Sequence, residues 1–150
     1  MKLNDITIKV ADSNDAKGLH RCMERAYLAY SSMFGGVRLP PMDVDYGEEI
    51  RLFPVWVALK RNNVVGGLIM VFERENASVA NIAVSPEAQG LGLGRKLMNF
   101  AEKEAKKRGY SELKLATHVL LEDNVSLYKH LGWKVTSSDE TRIYMDKCIT

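Results

Sequence analysis

An α/β domain of the α+β kind is what this sequence predicts, with a central mixed, mostly antiparallel, twisted sheet of about seven strands flanked by about four helices. Three observations carry that expectation. Between Val55 and Val84 three apolar runs are separated by the polar tetrads Lys60-Arg61-Asn62-Asn63 and Glu73-Arg74-Glu75-Asn76, the signature of a meander. The last run leads through a glycine-rich stretch, Gln89 to Gly94, into a long amphipathic segment ending near Arg108. Further short apolar runs lie near both ends of the chain. A meander followed by a long helix suits a mixed sheet better than a doubly wound one.

The elements follow in order. Ile6, Ile8 and Val10 alternate with polar neighbours and predict a half-buried strand. Asp12-Ser13-Asn14-Asp15 supplies several N-cap residues. Leu19, Cys22, Met23, Ala26, Tyr27 and Tyr30 then recur at helical spacing, which predicts a helix of about four turns. Ser31 to Phe53 is broken by Gly35-Gly36 and Pro40-Pro41, and Asp43, Asp45, Glu48 and Glu49 make it acidic; a short helix is expected from about Val44 to Leu52. Val55 to Leu59 and Val64 to Phe72 form a hairpin, and Gly66-Gly67 in its second strand predicts a bulge or a close backbone approach. Ala77 to Val84 makes the central strand.

From about Gly92 to Arg108, Leu93, Leu97, Met98, Phe100, Ala101 and Ala105 fall on one helical face. Lys106-Lys107-Arg108 suits the C-terminal end of the dipole and Gly109 suits the stop. Leu113 and Leu115 mark another strand. Asp123 or Asn124 opens a short helix that ends at Leu131-Gly132, and Trp133 to Thr136 and Arg142 to Met145 make a last pair of strands.

Composition narrows the function. A chain of 150 residues predicts one compact domain spanning 1–150. A net charge of +2 implies no strong polyanion-binding surface, so no nucleic-acid partner is expected. No apolar run nears the ~20 residues of a membrane span, and Met1 to Asp5 turns polar at once, so a cytoplasmic protein without a membrane partner is expected. The two cysteines, Cys22 and Cys148, lie far apart and are expected to be buried free thiols. Cys and His show no metal-ligand spacing, so no metal is expected.

The run Gln89-Gly90-Leu91-Gly92-Leu93-Gly94-Arg95 follows the apolar Ile82-Ala83-Val84 and opens a helix. A helix start leaves backbone N–H groups without partners. Ser, Thr, Asp or Asn usually caps them; here glycines stand in that place and the amides stay open to close approach. The helix dipole adds roughly half a positive charge, and Arg95 and Lys96 add whole ones, which predicts a phosphate or diphosphate site. A P-loop would need Gly-Lys-Ser/Thr, but the chain reads Gly94-Arg95-Lys96-Leu97 and offers no hydroxyl for magnesium. A Rossmann turn would need a third glycine where Arg95 stands, directly after the strand rather than behind Ser85-Pro86-Glu87-Ala88.

The stretch from Asn81 through Met98, with its strand, Pro86 and Gln89-x-x-Gly92-x-Gly94, resembles the acyl-CoA-binding motif of the GNAT acetyltransferases. Asn124-Val125-Ser126-Leu127-Tyr128-Lys129-His130-Leu131-Gly132-Trp133 resembles that family's second signature, an Asn-led helix with Leu-Tyr followed by Gly and an aromatic residue. The commoner family spacing puts Asn seven before Tyr, where this chain has Leu121. The order β-α-α-β-β-β-α-β-α-β-β extends the resemblance over nearly the whole chain.

The resemblance implies acetyl-CoA as cofactor and transfer of an acetyl group to a primary amine of a small molecule or peptide. It also implies cofactor binding by Ile82, Ala83, Val84, Gln89, Gly90, Leu91, Gly92, Leu93, Gly94, Arg95, Asn124 and Tyr128, with backbone at Ile82 to Val84 pairing with pantetheine as a strand would. The N–H of Val84 could polarise the thioester carbonyl. Tyr128 is then the general acid for the departing thiolate; taken alone it reads as a core tyrosine beside Leu127 and Leu131. His118 is either a base or substrate contact, or an ordinary hydrogen-bonded histidine. Lys129 and His130 read as solvated, with Lys129 in reach of a cofactor phosphate. The base stays open among Glu73, Glu75 and Glu24. The acidic Asp43 to Glu49 suggests a cationic acceptor. Homodimers are common in the resembled family. The alternative function is a non-catalytic acyl-CoA-binding module of the same fold.

Overall fold

The computed structural model describes residues 1–150. Strands β1 (Ile6–Val10), β2 (Val55–Lys60), β3 (Asn63–Phe72), β4 (Ala77–Val84), β5 (Glu112–His118), β6 (Lys134–Ser138) and β7 (Arg142–Cys148) form one sheet in the order β1-β2-β3-β4-β5-β7-β6. Helices α1 (Ala16–Met33), α2 (Tyr46–Leu52), α3 (Leu93–Lys107) and α4 (Glu122–His130) flank it. The element order and the mixed, mostly antiparallel sheet match the sequence expectation. Only β4 and β5 run parallel, because α3 carries the chain back across the sheet between them.

Boundaries shift where local signals were silent. Helix α1 runs 18 residues, nearer five turns than four. Helix α4 begins at Glu122, one residue before the expected start. Trp133 lies outside β6 and is buried, its ring 6.3 Å from that of Tyr128. Strand β7 continues to Cys148, whose side chain is exposed; the expectation of two buried thiols holds only for Cys22. Cys148 is the last residue of β7, so Ile149, not the cysteine, carries the chain's final apolar contact into the core.

Helix α3 lies on one face of the sheet. Leu93, Leu97, Met98, Ala101 and Ala105 are its buried positions, and Phe100 meets Trp56 edge-on at 5.4 Å. Helices α1 and α2 cover the other face around Leu19, Met23, Tyr27 and Tyr46. Strand β2 is buried on both sides for this reason: Trp56 and Ala58 face α3, while Val55 and Val57 face α1.

The glycine pair in β3 answers to both readings of it. The ladder with β2 shifts beside Gly66, and a Cβ on Gly67 would run into Leu19 Cδ1 and lie 3.2 Å from Met23 Cε. Both side chains are fully buried. Gly67→Ala is expected to cost about 1–3 kcal/mol by overpacking, read as a lower midpoint in urea unfolding with an unchanged slope.

The decisive irregularity is in β4. Asn81 opposes Ile69 and Val79 opposes Met70, so Ala80 is an extra residue without a partner in β3. Such a bulge bends the strand. On the other side, β4 pairs with β5 only from Ala77 to Val79. Past the bulge the two parallel strands part, and the sheet opens into a cleft.

Candidate active site

Strand parity sets what lines the opening. Ser85 N donates to Val65 O in β3. Alternation therefore turns the peptide groups of Val84 and Ile82 the other way, toward the gap left by β5. The Ile82 carbonyl accepts the Tyr27 hydroxyl at 3.0 Å, and the Val84 carbonyl accepts Gln89 Nε2 at 3.3 Å. The Val84 N–H makes no bond within the β4–β5 pairing and remains a donor at the open edge.

Beside this edge the chain enters α3. Pro86–Ala88 forms a single 3-10 turn, and Gln89 N donates to Pro86 O. The amides of Gly90, Leu91, Gly92, Leu93, Gly94 and Arg95 make no hydrogen bond; the first helical bond is Lys96 N to Gly92 O. The N-cap, Gly92, has φ +86°, a left-handed conformation that glycine adopts without steric cost, and no side chain caps the helix. Gln89 thus drops out of the row of free amides, which begins at Gly90. Lys96 also departs from expectation: its ammonium is held by Ile6 O at 3.0 Å, leaving Arg95 as the exposed charge at this end.

A cleft of about 490 Å³ lies over these amides, between α3 and α4, a size in the range of small-ligand sites. Every residue expected to bind the cofactor lines it except Leu91, whose side chain packs on the α3-side core. Tyr30 and Asp123 add polar groups to the rim. Lys129 is exposed on α4 and does not line the cleft.

A second cleft, of about 470 Å³, opens on the α1–α2 face of the sheet. The two share Tyr27, Ile82, Asn124 and Tyr128. Tyr128 therefore stands where the clefts meet. It is 5 % exposed, and its hydroxyl has no partner in the protein. Burial pushes its phenol well above the ordinary tyrosine range, so the O–H keeps its proton at physiological and moderately alkaline pH. Tyr27 is shifted the same way by the same cause.

His118 ends β5 inside the second cleft. Its Nδ1 accepts the Leu120 N–H at 3.1 Å. An amide can only donate to an unprotonated ring nitrogen, so the proton sits on Nε2. The neutral ring offers the cleft a donor, and a base role would first require breaking the Leu120 bond.

The glutamates considered as bases lie elsewhere. Glu73 and Glu75 sit at the β3–β4 turn, at the opposite end of β4 from the split, where Tyr110 donates to the Glu73 carbonyl. Glu24 faces Arg38 at 3.7 Å. Three of the four carboxylates of the acidic segment are occupied: Asp43 pairs with Arg38, Asp45 caps α2, and Glu48 pairs with Arg51, while Glu49 has no ion pair but lines neither cleft. Only Leu39, Pro40 and Pro41 from that region reach the cleft. Cys22 is buried, and desolvation pushes its thiol up to about 12, unsuited to nucleophilic attack.

Sequence reasoning missed Tyr27, Asn81, Thr117, Arg142 and Tyr144 as cleft residues. Tyr27 carried a signal as part of the buried helical face. The partner of its hydroxyl lies 55 residues away, and no local pattern could show it. Arg142 faces His118 only because β7 doubles back onto β5.

Comparison with known proteins bears on the family and the fold. A family model described as "Acetyltransferase (GNAT) family" matches residues 23–133. Probable N-acetyltransferase 14 of Xenopus tropicalis is 28% identical over 85 residues, covering 55% of this chain and 41% of that protein. The chain thus matches about half or less of the length of its curated relatives. The PaiA N-acetyltransferase of Thermoplasma acidophilum, solved in complex with coenzyme A, superposes with a TM-score of 0.82 at 21% identity, covering 95% of this chain and 98% of that one. The ribosomal-protein-S18-alanine N-acetyltransferase of Escherichia coli gives 0.73 at 22% identity, covering 97% and 94%. At such identities the superpositions speak for the fold, while the family model speaks for descent. The chain belongs to the GNAT family of acetyltransferases, with acetyl-CoA as the cofactor that membership brings.

Proposed function

We propose that the protein transfers the acetyl group of acetyl-CoA to a primary amine by direct attack, with Tyr128 as general acid. The observation that carries this is the position of Tyr128: a buried, protonated, unpartnered phenol at the junction of two clefts. The coenzyme's diphosphate lies on the free amides from Gly90 to Arg95, supported by the helix dipole and Arg95. Pantetheine follows the open edge of β4, and Asn124 borders its reactive end. The Val84 N–H polarises the thioester carbonyl.

The amine enters through the second cleft as the free base, its proton having passed to water. Its nitrogen attacks the carbonyl carbon. The new C–N bond forms as the C–S bond breaks, and the sulfur leaves with the Tyr128 proton. The phenolate regains a proton from water, which also takes the second amine proton. Holding amine and thioester together supplies the entropic part of the acceleration. His118 serves here as a contact to the acceptor through Nε2–H. The protein works as a soluble enzyme of the cytoplasm; no helix is long and apolar enough to cross a membrane.

A second reading, an acyl-CoA-binding module without turnover, draws on one observation: no aspartate or glutamate lines the acceptor cleft. Incubation with acetyl-CoA and a panel of primary amines separates the two. Stoichiometric thiol release with an acetylated amine by mass spectrometry is expected. Coenzyme binding in calorimetry with no thiol release on any amine would leave only the binding module.

A further inference from the structure

The second cleft has a chemical bias that coenzyme binding in the first would not explain. In the β5–β7 ladder, Lys114 opposes Asp146, Ala116 opposes Tyr144 and His118 opposes Arg142. Directly opposed residues share a face, and alternate residues along a strand do too. All six therefore stand on the face turned away from α3, since Leu113 and Leu115 are the ones packed against it. Five of the six, all but Asp146, line the acceptor cleft.

The charges on this face are not equally free. Lys114 is held by Glu112 at 3.1 Å and by Asp146 at 3.0 Å. Tyr144 donates its hydroxyl to Asp139 Oδ2 at 3.2 Å, and Asp139 also accepts the backbone amides of Thr141 and Arg142. The Arg142 guanidinium has neither an ion pair nor a side-chain hydrogen bond. His118 opposite it presents only a donor, Nε2–H, because Leu120 holds Nδ1. Cross-strand partners have Cβ atoms about 5 Å apart, so both can reach one small group. The guanidinium fork matches a carboxylate in two parallel bonds. Of the acidic segment that suggested a cationic acceptor, Asp43, Asp45 and Glu48 are engaged elsewhere, and the unpaired Glu49 does not line the cleft.

We propose that Arg142 and His118 form a carboxylate-recognition pair, and that the acceptor is a small amino acid: one molecule carrying both the primary amine and a carboxylate. This rests on the transferase reading above. Arg142 and His118 grip the acid end, and the amine is left to point along the cleft toward Tyr128. A polycationic amine has no carboxylate partner there and meets Arg142 instead.

The test compares kcat/KM for α- and ω-amino acids of increasing chain length with the matching amides, decarboxylated amines and diamines, and with peptides bearing an acidic second residue. An amino acid is expected to exceed its amide by about tenfold to a hundredfold, the usual effect of a charge-assisted pair of bonds. Arg142→Gln is expected to collapse that ratio through KM for the acid, and Arg142→Lys to restore part of it. Arg142 is exposed at the start of β7, so circular dichroism and melting temperature should report a folded variant. Equal rates for acid, amide and diamine, or an acid-to-amide ratio unmoved by Arg142→Gln, overturn the carboxylate pair while leaving acetyl transfer in place. Turnover of acidic peptides alone overturns the small-molecule assignment. Thiol release with none of the amines, despite coenzyme binding, overturns both readings.

Discussion

Tyr128→Phe is expected to lower kcat by about 10²–10⁴, the usual worth of a positioned proton donor. The Michaelis constant for acetyl-CoA should move by no more than about twofold, since the phenyl ring keeps the packing against Trp133 and bonding to the diphosphate is elsewhere. Stability should also hold, because the hydroxyl has no partner to lose. The pH profile sharpens the test. Burial raises the Tyr128 pKa above its ordinary value, so the acid form persists to higher pH than a free phenol would allow. The wild-type rate should therefore rise with pH as the amine, with a pKa near ~10.4, sheds its proton, and no fall from loss of the acid should appear below about pH 10. In the variant the same rise should remain at a much lower ceiling. An unchanged ceiling would show that the thiolate leaves without help from Tyr128.

Gly94→Ala is expected to move stability and binding in opposite directions. Gly94 is helical, and a Cβ there would lie 3.7 Å from Leu127 Cδ2 and 4.0 Å from Val84 Cγ2, ordinary contact distances. Alanine is favoured over glycine inside helices by up to ~1 kcal/mol, so the melting temperature should hold or rise. The methyl group, however, enters the cleft between α3 and α4, beside the free amides proposed to hold the diphosphate. Charge-assisted bonds lengthened or lost there should weaken coenzyme A binding by about tenfold to a hundredfold in calorimetry. Gly90 and Gly92 make poorer probes: their φ values of +81° and +86° would add backbone strain to any steric effect. A stabilised Gly94→Ala protein that binds coenzyme A normally would show that the helix entrance is not the diphosphate seat.

The first cleft takes most of its lining from one stretch of chain. From Asn81 to Met98, strand, turn and helix are consecutive, and the uncapped amides follow from glycines standing where a capping side chain would be. Local chemistry decides local geometry there, so the loop could be read directly. Tyr128 and Asn124 sit four apart on one short helix, so their shared face was legible, while the roles given to them rest on the family resemblance.

The acceptor side is different. Glu73 and Glu75 are near β4 in sequence yet lie at the wrong end of it. The acidic segment adjoins Leu39 to Pro41 of the cleft in sequence, but local pairing with Arg38 and Arg51 and the capping of α2 engage Asp43, Glu48 and Asp45, and Glu49 does not line the cleft. What determines the cleft's chemistry is the pairing of β5 with β7 and the bulge at Ala80, which separates β4 from β5. Residue patterning by itself determined the strands and helices, their order and the uncapped glycine-rich entrance to α3, because each depends on neighbours a few residues apart. Only the tertiary structure decided which side chains line the second cleft, since strand register joins residues as distant as His118 and Arg142 and carries no trace in the local sequence.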